Sequence, residues 1–375
     1  MAGIYIHIPF CVQACNYCDF HFSTSLKTKN KVISSIIHEL VLRKNYLKND
    51  IVETIYFGGG TPSILNPTEL AKIIECIFKH YNIFTNPEVT IESNPNDLNK
   101  KKIKNLINLG FNRLSLGGQS FNDSQLKTLN RNHSSFDIEN SIKIAQELGI
   151  NNINLDLIYG LPKMSVRDWE EDLNKAISLN VTHLSCYCLT IEKGTVFFNR
   201  LKKGTLKVVS DKKKTDQFML MRNILINANY IHYEISNFCK QNYRSKHNSS
   251  YWNSQNYLGV GPSAHSFNGK TRQWNINNNS KYINSIKNND VFYEEELLTR
   301  KNIINEFILT SLRQIEGLSN KKLKEITSHK EYLNIKFQIN DLVNRSLISK
   351  KNNYYALTEQ GMILCDKITS DLFLV

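Results

Sequence analysis

No stretch of this chain is apolar for long enough to cross a membrane as a helix. The longest apolar runs are strand-sized, short of the roughly 18 residues that a span needs. No basic leader precedes an apolar stretch at its start. A soluble, cytoplasmic protein is expected. A disulfide-built secreted fold is excluded as well: of eight cysteines in 375 residues, three crowd at the start and five are scattered (Cys76, Cys186, Cys188, Cys239, Cys365). That usage suits a reducing compartment. Internal repeats and long disordered segments are missing too, with only the asparagine-rich segment 274–290 read as mobile. Acidic residues are outnumbered, 34 against 47 Lys and Arg, which gives a net charge of +13. Such an excess attracts nucleic acid, anionic lipid or a polycarboxylate. Lysine, asparagine and isoleucine abound throughout, however, as a general compositional bias would produce. The lysine clusters at 101–104 and 212–214 fall on predicted helix surfaces, with little of the aromatic interleaving used by single-strand binders. No nucleic-acid partner is expected.

What is present is ample apolar material, 41% of residues, enough for a large core and two to three domains. Short β-rich runs alternate with helical patterns: 3–9, 54–59, 89–93, 113–118, 153–159 and 183–190 read as strands. Ile33, Ile36, Ile37 and Leu40 share one helical face, Asn66 and Pro67 start a helix, and Gly110 and Gly149 stand where helix C-caps belong. Six βα units are too few for a closed eight-stranded barrel. Right-handed crossovers would curl them into an open α/β partial barrel that works at the strands' C-terminal edge. Beyond 190 come a linker, a helix near 214–229 and a strand-like run at 231–238. From about 300 the pattern is mostly helical with a short strand pair, a winged-helix-like tail.

Cys11, Cys15 and Cys18 follow the first strand directly, in FCVQACNYCDF. Three thiolates on one compact loop fit a [4Fe-4S] cluster with one iron left free, since the cube has four irons. Such an iron can hold the amino and carboxylate groups of S-adenosylmethionine while an electron passes to its sulfonium bond, releasing a carbon radical. The spacing is equally normal for zinc, with His7, Asp19 or His21 as fourth ligand, and three buried thiols also occur as a small apolar group. A zinc-stabilised nucleic-acid binder is the corresponding weaker reading.

With its neighbours, IHIPFCVQACNYCDF resembles the radical S-adenosylmethionine superfamily, and within it the coproporphyrinogen III dehydrogenase (HemN) family. YFGGGTPS (56–63), IESNP (91–95), NRLSLGGQSF (112–121), LNRNHS (129–134), NLDLIYGLP (154–162), LTIEKGT (189–195) and GVGPSAHSF (259–267) extend the likeness in order, and ILTSLRQIEGL (308–318) carries it into the tail. The resemblance implies a cluster on the three cysteines and S-adenosylmethionine on the open iron. Gly58, Gly59, Gly60 and Thr61 would face its methionine amino group, Glu92 its polar groups, and Gln119, Arg131 and Asp156 its carboxylate and ribose. Tyr5 and Tyr17 would pack on cluster and adenine. Arg113 is read as structural, and Cys186 and Cys188 as core. The chain departs from the family at Asn130, where glycine is usual, and at Gly118, where an aliphatic residue is usual. Implied domains are a radical S-adenosylmethionine partial barrel (1–240), a connecting segment (241–299) and a HemN-like C-terminal domain (300–375).

Phe20 stands where the oxidase branch carries a further cysteine, and the oxidase's long extension before the cysteines is not seen. In this the chain is similar to the HemW branch of haem chaperones. His247, Tyr251 and Trp252, in KHNSSYW, resemble that branch's haem-linked motif: an imidazole to ligate iron and two flat rings for the macrocycle. Haem is therefore an expected ligand and a haem-accepting protein, a membrane haem enzyme, an expected partner. The basic surface suits haem propionates or the inner membrane face. An oxidase acting on a tetrapyrrole is the alternative.

Overall fold

The computed structural model describes residues 1–48 and 50–374. Six strands, β1 (Ala2–Ile8), β2 (Val52–Gly59), β3 (Ile83–Ser93), β4 (Arg113–Gln119), β5 (Ile153–Tyr159) and β6 (His183–Cys188), lie side by side in chain order, all parallel. A helix follows each of the first five before the next strand, the crossover arrangement of a partial barrel. Local chemistry sets the helix ends as expected. Asn66 and Glu69 form a capping box before Pro67–His80, and Gly110 (φ 87°) and Gly149 (φ 92°) take the left-handed turn just past their helices.

Each strand splits its side chains by parity. Ile4, Ile6, Ile8, Ile55, Phe57, Leu114, Leu116, Leu155 and Leu184 join the buried core under the helices. The opposite face is polar: Tyr5 and His7, Thr54 and Tyr56, Thr90 and Glu92, Arg113 and Ser115, Asn154 and Asp156, His183 and Ser185. NLDLIY places an acid, Asp156, within β5. Asp156 looks into the barrel, where Asn154 Nδ2 donates to its Oδ1 at 2.8 Å.

The sheet extends beyond the six. The run at 231–238 is two strands, β7 (Ile231–Glu234) and β8 (Asn237–Cys239), antiparallel on the β6 side. On the β1 side come β9 (Asn256–Val260), β10 (His265–Phe267), β11 (Thr271–Asn275) and β12 (Tyr293–Leu297), for twelve strands in all. Residues 241–299, read as a connector, thus build a flank of the same sheet. Glu39 anchors it, accepting from Asn275 Nδ2 (2.8 Å), the Gly261 amide (2.8 Å), Tyr282 Oη (2.5 Å) and Arg43. Residues 300–374 have a core of their own, around Ile308, Leu312, Ile335 and Ile339. The helix Arg300–Arg313, β13 (Leu318–Ser319), two further helices, then β14 (Ile348–Lys351) and β15 (Tyr354–Leu357), with sheet order β13-β15-β14, give a winged-helix order. No helix among the described residues is long and apolar enough to cross a membrane.

Candidate cofactor site

The cysteine loop leaves β1 at its C-terminal end and is tied down at several points. The Cys11 amide donates to Ser23 O (3.1 Å), the Asn16 amide to Leu129 O (3.0 Å) and the Phe197 amide to Asn16 O (2.9 Å). Asn130, at φ 60°, donates from Nδ2 to Ala14 O at 2.7 Å, and Gln13 Nε2 returns a bond to Asn130 O at 2.9 Å. The family's usual glycine is thus explained by the left-handed backbone. Asparagine tolerates that conformation better than most residues and adds a tie to the loop. At Gly118 the Leu155 side chain fills the space, 2.6 Å from where a Cβ would stand.

Cys11, Cys15 and Cys18 all line one cavity of about 660 Å³ at the strands' C-terminal edge. Tyr17, Gly59, Gly60, Thr61, Glu92, Gln119, Arg131 and Asp156 line it too. Thr61 Oγ1 donates to Cys11 Sγ at 3.4 Å, and Arg131 Nη1 donates to Cys15 Sγ at 3.4 Å. The other Arg131 nitrogen holds Asn94 Oδ1 (2.6 Å) and Gly117 O (2.7 Å), which leaves Nε without a protein acceptor. Glu92 accepts from Tyr56 Oη at 2.9 Å and from the Gly59 amide at 3.1 Å. Burial and then the nearby Asp156 carboxylate push Glu92 up to about 7. Burial also raises Asp156, against the pull of Asn154, and lifts the Cys18 thiol to about 11.

Glycine is required where the backbone meets the cavity wall. Gly59 has φ 105°, and a Cβ there would stand 2.6 Å from His7; at Gly60 it would stand 2.6 Å from Phe10 O. Gln119 sits at φ 70° on a bulge between β4 and β5, a strained backbone of the sort found at ligand sites. Among the described residues no three His, Cys, Asp or Glu side chains converge on a single-ion site, the loop thiols included.

The structure does not bring two of the sequence-assigned groups to this cavity. Tyr5 and Gly58 lie one layer deeper than the cavity lining. Tyr5 Oη bonds His7 Nδ1 at 3.2 Å, its ring faces Tyr56 at 6.0 Å, and Gly58 is buried. The second concerns the haem motif. His247 is 1% exposed on the helix Lys246–Trp252, which plugs the N-terminal end of the barrel. Its Nδ1 pairs with Thr54 Oγ1 at 2.7 Å and its Nε2 with Tyr251 Oη at 2.8 Å, while its ring stacks on Tyr56 at 4.9 Å. Both ring nitrogens thus have partners within the protein. Trp252 instead lies beneath the Arg313 guanidinium, 5.6 Å from its ring centre. Cys186 is core as expected, whereas Cys188 lines the cavity.

Sequence reasoning missed Asn94, Ser115, Tyr187, Ile235, Arg313 and Asp366, all of which line the cavity. Arg313 and Asp366 come from the C-terminal unit and pair at 2.8 Å. No local pattern marks such contacts, because they arise only when distant segments meet.

A model of the radical SAM superfamily matches residues 5–176. The heme chaperone HemW of Bacillus subtilis (strain 168) is 34% identical over 373 residues, 98% of each chain. That of Lactococcus lactis is 32% identical, over 97% of this chain and 95% of its own. The chain belongs to the radical SAM superfamily, in its HemW family. The family's fold is seen again in the coproporphyrinogen III oxidase (HemN) from Escherichia coli, with TM-score 0.86 and 22% identity over 99% of this chain and 90% of that one. At that identity the likeness speaks for fold alone.

Proposed function

We propose that this protein is a haem chaperone that holds a [4Fe-4S] cluster on Cys11, Cys15 and Cys18, takes S-adenosylmethionine beside it, and carries haem to an acceptor protein. The observation that supports the cofactor part is the shared cavity: three thiols from one loop, an arginine with an unused nitrogen, and two carboxylates all line it. When bound, the cluster would supply an open iron for the cofactor's amino and carboxylate groups, and a source of one electron. Arg131 would hold the cofactor's carboxylate, Glu92 and Asp156 would accept from its amino and hydroxyl groups, and Tyr17 would offer a flat face to its adenine. The Gly59–Gly60 backbone can approach closely because it carries no side chains.

The haem part rests on the full-length likeness to heme chaperone HemW chains, and Phe20 at the position of the oxidase's further cysteine favours carriage over oxidation. Haem titration of the anaerobically reconstituted protein tests it. A saturable Soret shift without conversion of coproporphyrinogen is expected. No shift, together with vinyl-group formation from coproporphyrinogen, would turn the reading to the oxidase.

A further inference from the structure

Arg113 opens β4, is 1% exposed, and has no protein acceptor for Nε or either Nη. A buried guanidinium without partners is among the least tolerable features of a protein interior, so something must answer its charge. Its parity with Ser115 and Gly117 turns it into the barrel, since Leu114 and Leu116 face the helices. Across β3 it pairs in register with Thr90, whose buried hydroxyl is likewise unpartnered. The next inward position on β3 is Glu92, about 7 Å along the strand. On the other side β5 sets Asp156 opposite Gly117. One cation thus lies beneath two carboxylates that face the cavity.

Of the other groups around those carboxylates, Arg131 supplies that charge only in part, by lowering Asp156. Tyr5 from β1, Tyr56 from β2, Tyr187 from β6 and Tyr251 from the plug helix act on them as neutral phenols, and burial raises each of the four. Arg131, after β4, has its terminal nitrogens on Cys15, Asn94 and Gly117 and reaches Asp156 from the cavity side. Of the buried histidines, His183 and His247 are held neutral by burial first and by Arg113 second, and His7, bonded to Tyr5, by burial.

We infer that Arg113 is a positioning residue, the interior countercharge of Glu92 and Asp156, joined to them through water held inside the barrel and keeping both carboxylates set for S-adenosylmethionine. The inference rests on the cofactor half of the proposed function. Burial raises both carboxylates and Arg113 pulls both back down, in agreement with that role.

The test is calorimetric binding of S-adenosylmethionine to the cluster-loaded protein between pH 6 and 9. Wild-type affinity is expected to rise through a midpoint near Glu92's value of about 7. In Arg113→Met the midpoint moves up by about one unit, so that binding at pH 7 weakens roughly fivefold and recovers by pH 9. Arg113→Lys keeps the wild-type midpoint. Arg113→Gln, polar but uncharged, gives the same shift as Met and serves if the Met variant does not fold. A wild-type midpoint in the uncharged variants, or a loss equal at every pH, overturns the inference. If wild type itself binds no S-adenosylmethionine, the cofactor reading fails instead.

Discussion

Arg131 and Cys15, 116 positions apart in the chain, meet at 3.4 Å, guanidinium nitrogen to sulfur. The arginine thereby ties the cysteine loop to the end of β4 while keeping one nitrogen for a ligand. Removing it should affect ligand capture more than folding. Arg131→Met is expected to weaken S-adenosylmethionine binding by about 2 kcal/mol, roughly thirtyfold, the worth of a charged hydrogen bond. Cluster content should stay near wild type. Calorimetry beside iron analysis checks both, and loss of cluster with unchanged affinity per cluster would refute it.

His247→Ala removes an imidazole that satisfies Thr54 and Tyr251 and stacks on Tyr56. Two buried hydroxyls lose their partner and a cavity opens, so stability should fall by about 2 kcal/mol or more. The haem Soret shift should persist. A vanished shift with an unchanged melting curve would make His247 a haem ligand.

Burial of the same histidine is expected to make the protein acid-labile. Its folded value is lowered to about 3, mainly by burial, against an ordinary 6.5. The stability of its neutral form is therefore lost as pH falls from about 6.5 toward 3. Glu92 runs the other way. Raised to about 7 by burial and Asp156, it contributes stability that is fully present below the ordinary carboxylate range and is lost as pH rises through about 7. Above about pH 6.5, where His247 no longer changes charge in either state, melting curves of the ligand-free protein should show a decline to pH 8 that Glu92→Gln flattens. An identical decline in that variant would contradict the assignment.

Asn130 offers a backbone test. Asn130→Ala should cost about 1–2 kcal/mol through the left-handed conformation at φ 60°. Asn130→Gly loses only the bond to Ala14 and should come closer to wild type. Thermal denaturation of the two variants decides, and an alanine variant as stable as the glycine one would refute the strain.

The six parallel strands were legible because each has one apolar row that meets helices, as with Ile4, Ile6 and Ile8. The other row was harder to read. Polar residues such as Glu92, Arg113 and Asp156 were seen one at a time, whereas the fold sets them in rings around one interior. The flank β9–β12 escaped notice because its strands are short and separated by polar loops. In KHNSSYW the residue types suggested a metal ligand. The direction the helix faces depends on Glu88, whose carboxylate accepts from the amides of Lys246 (3.1 Å) and His247 (3.0 Å) and seats the helix in the barrel. Nothing local to the motif carries that information.

The most direct test of the cluster assignment is iron and sulfide analysis with electron paramagnetic resonance on protein prepared without oxygen. About four irons and four sulfides per chain are expected. Once reduced, the cluster should give a signal that changes shape on addition of S-adenosylmethionine and is absent in Cys18→Ala. Colourless protein without sulfide, or a signal indifferent to S-adenosylmethionine, would contradict it.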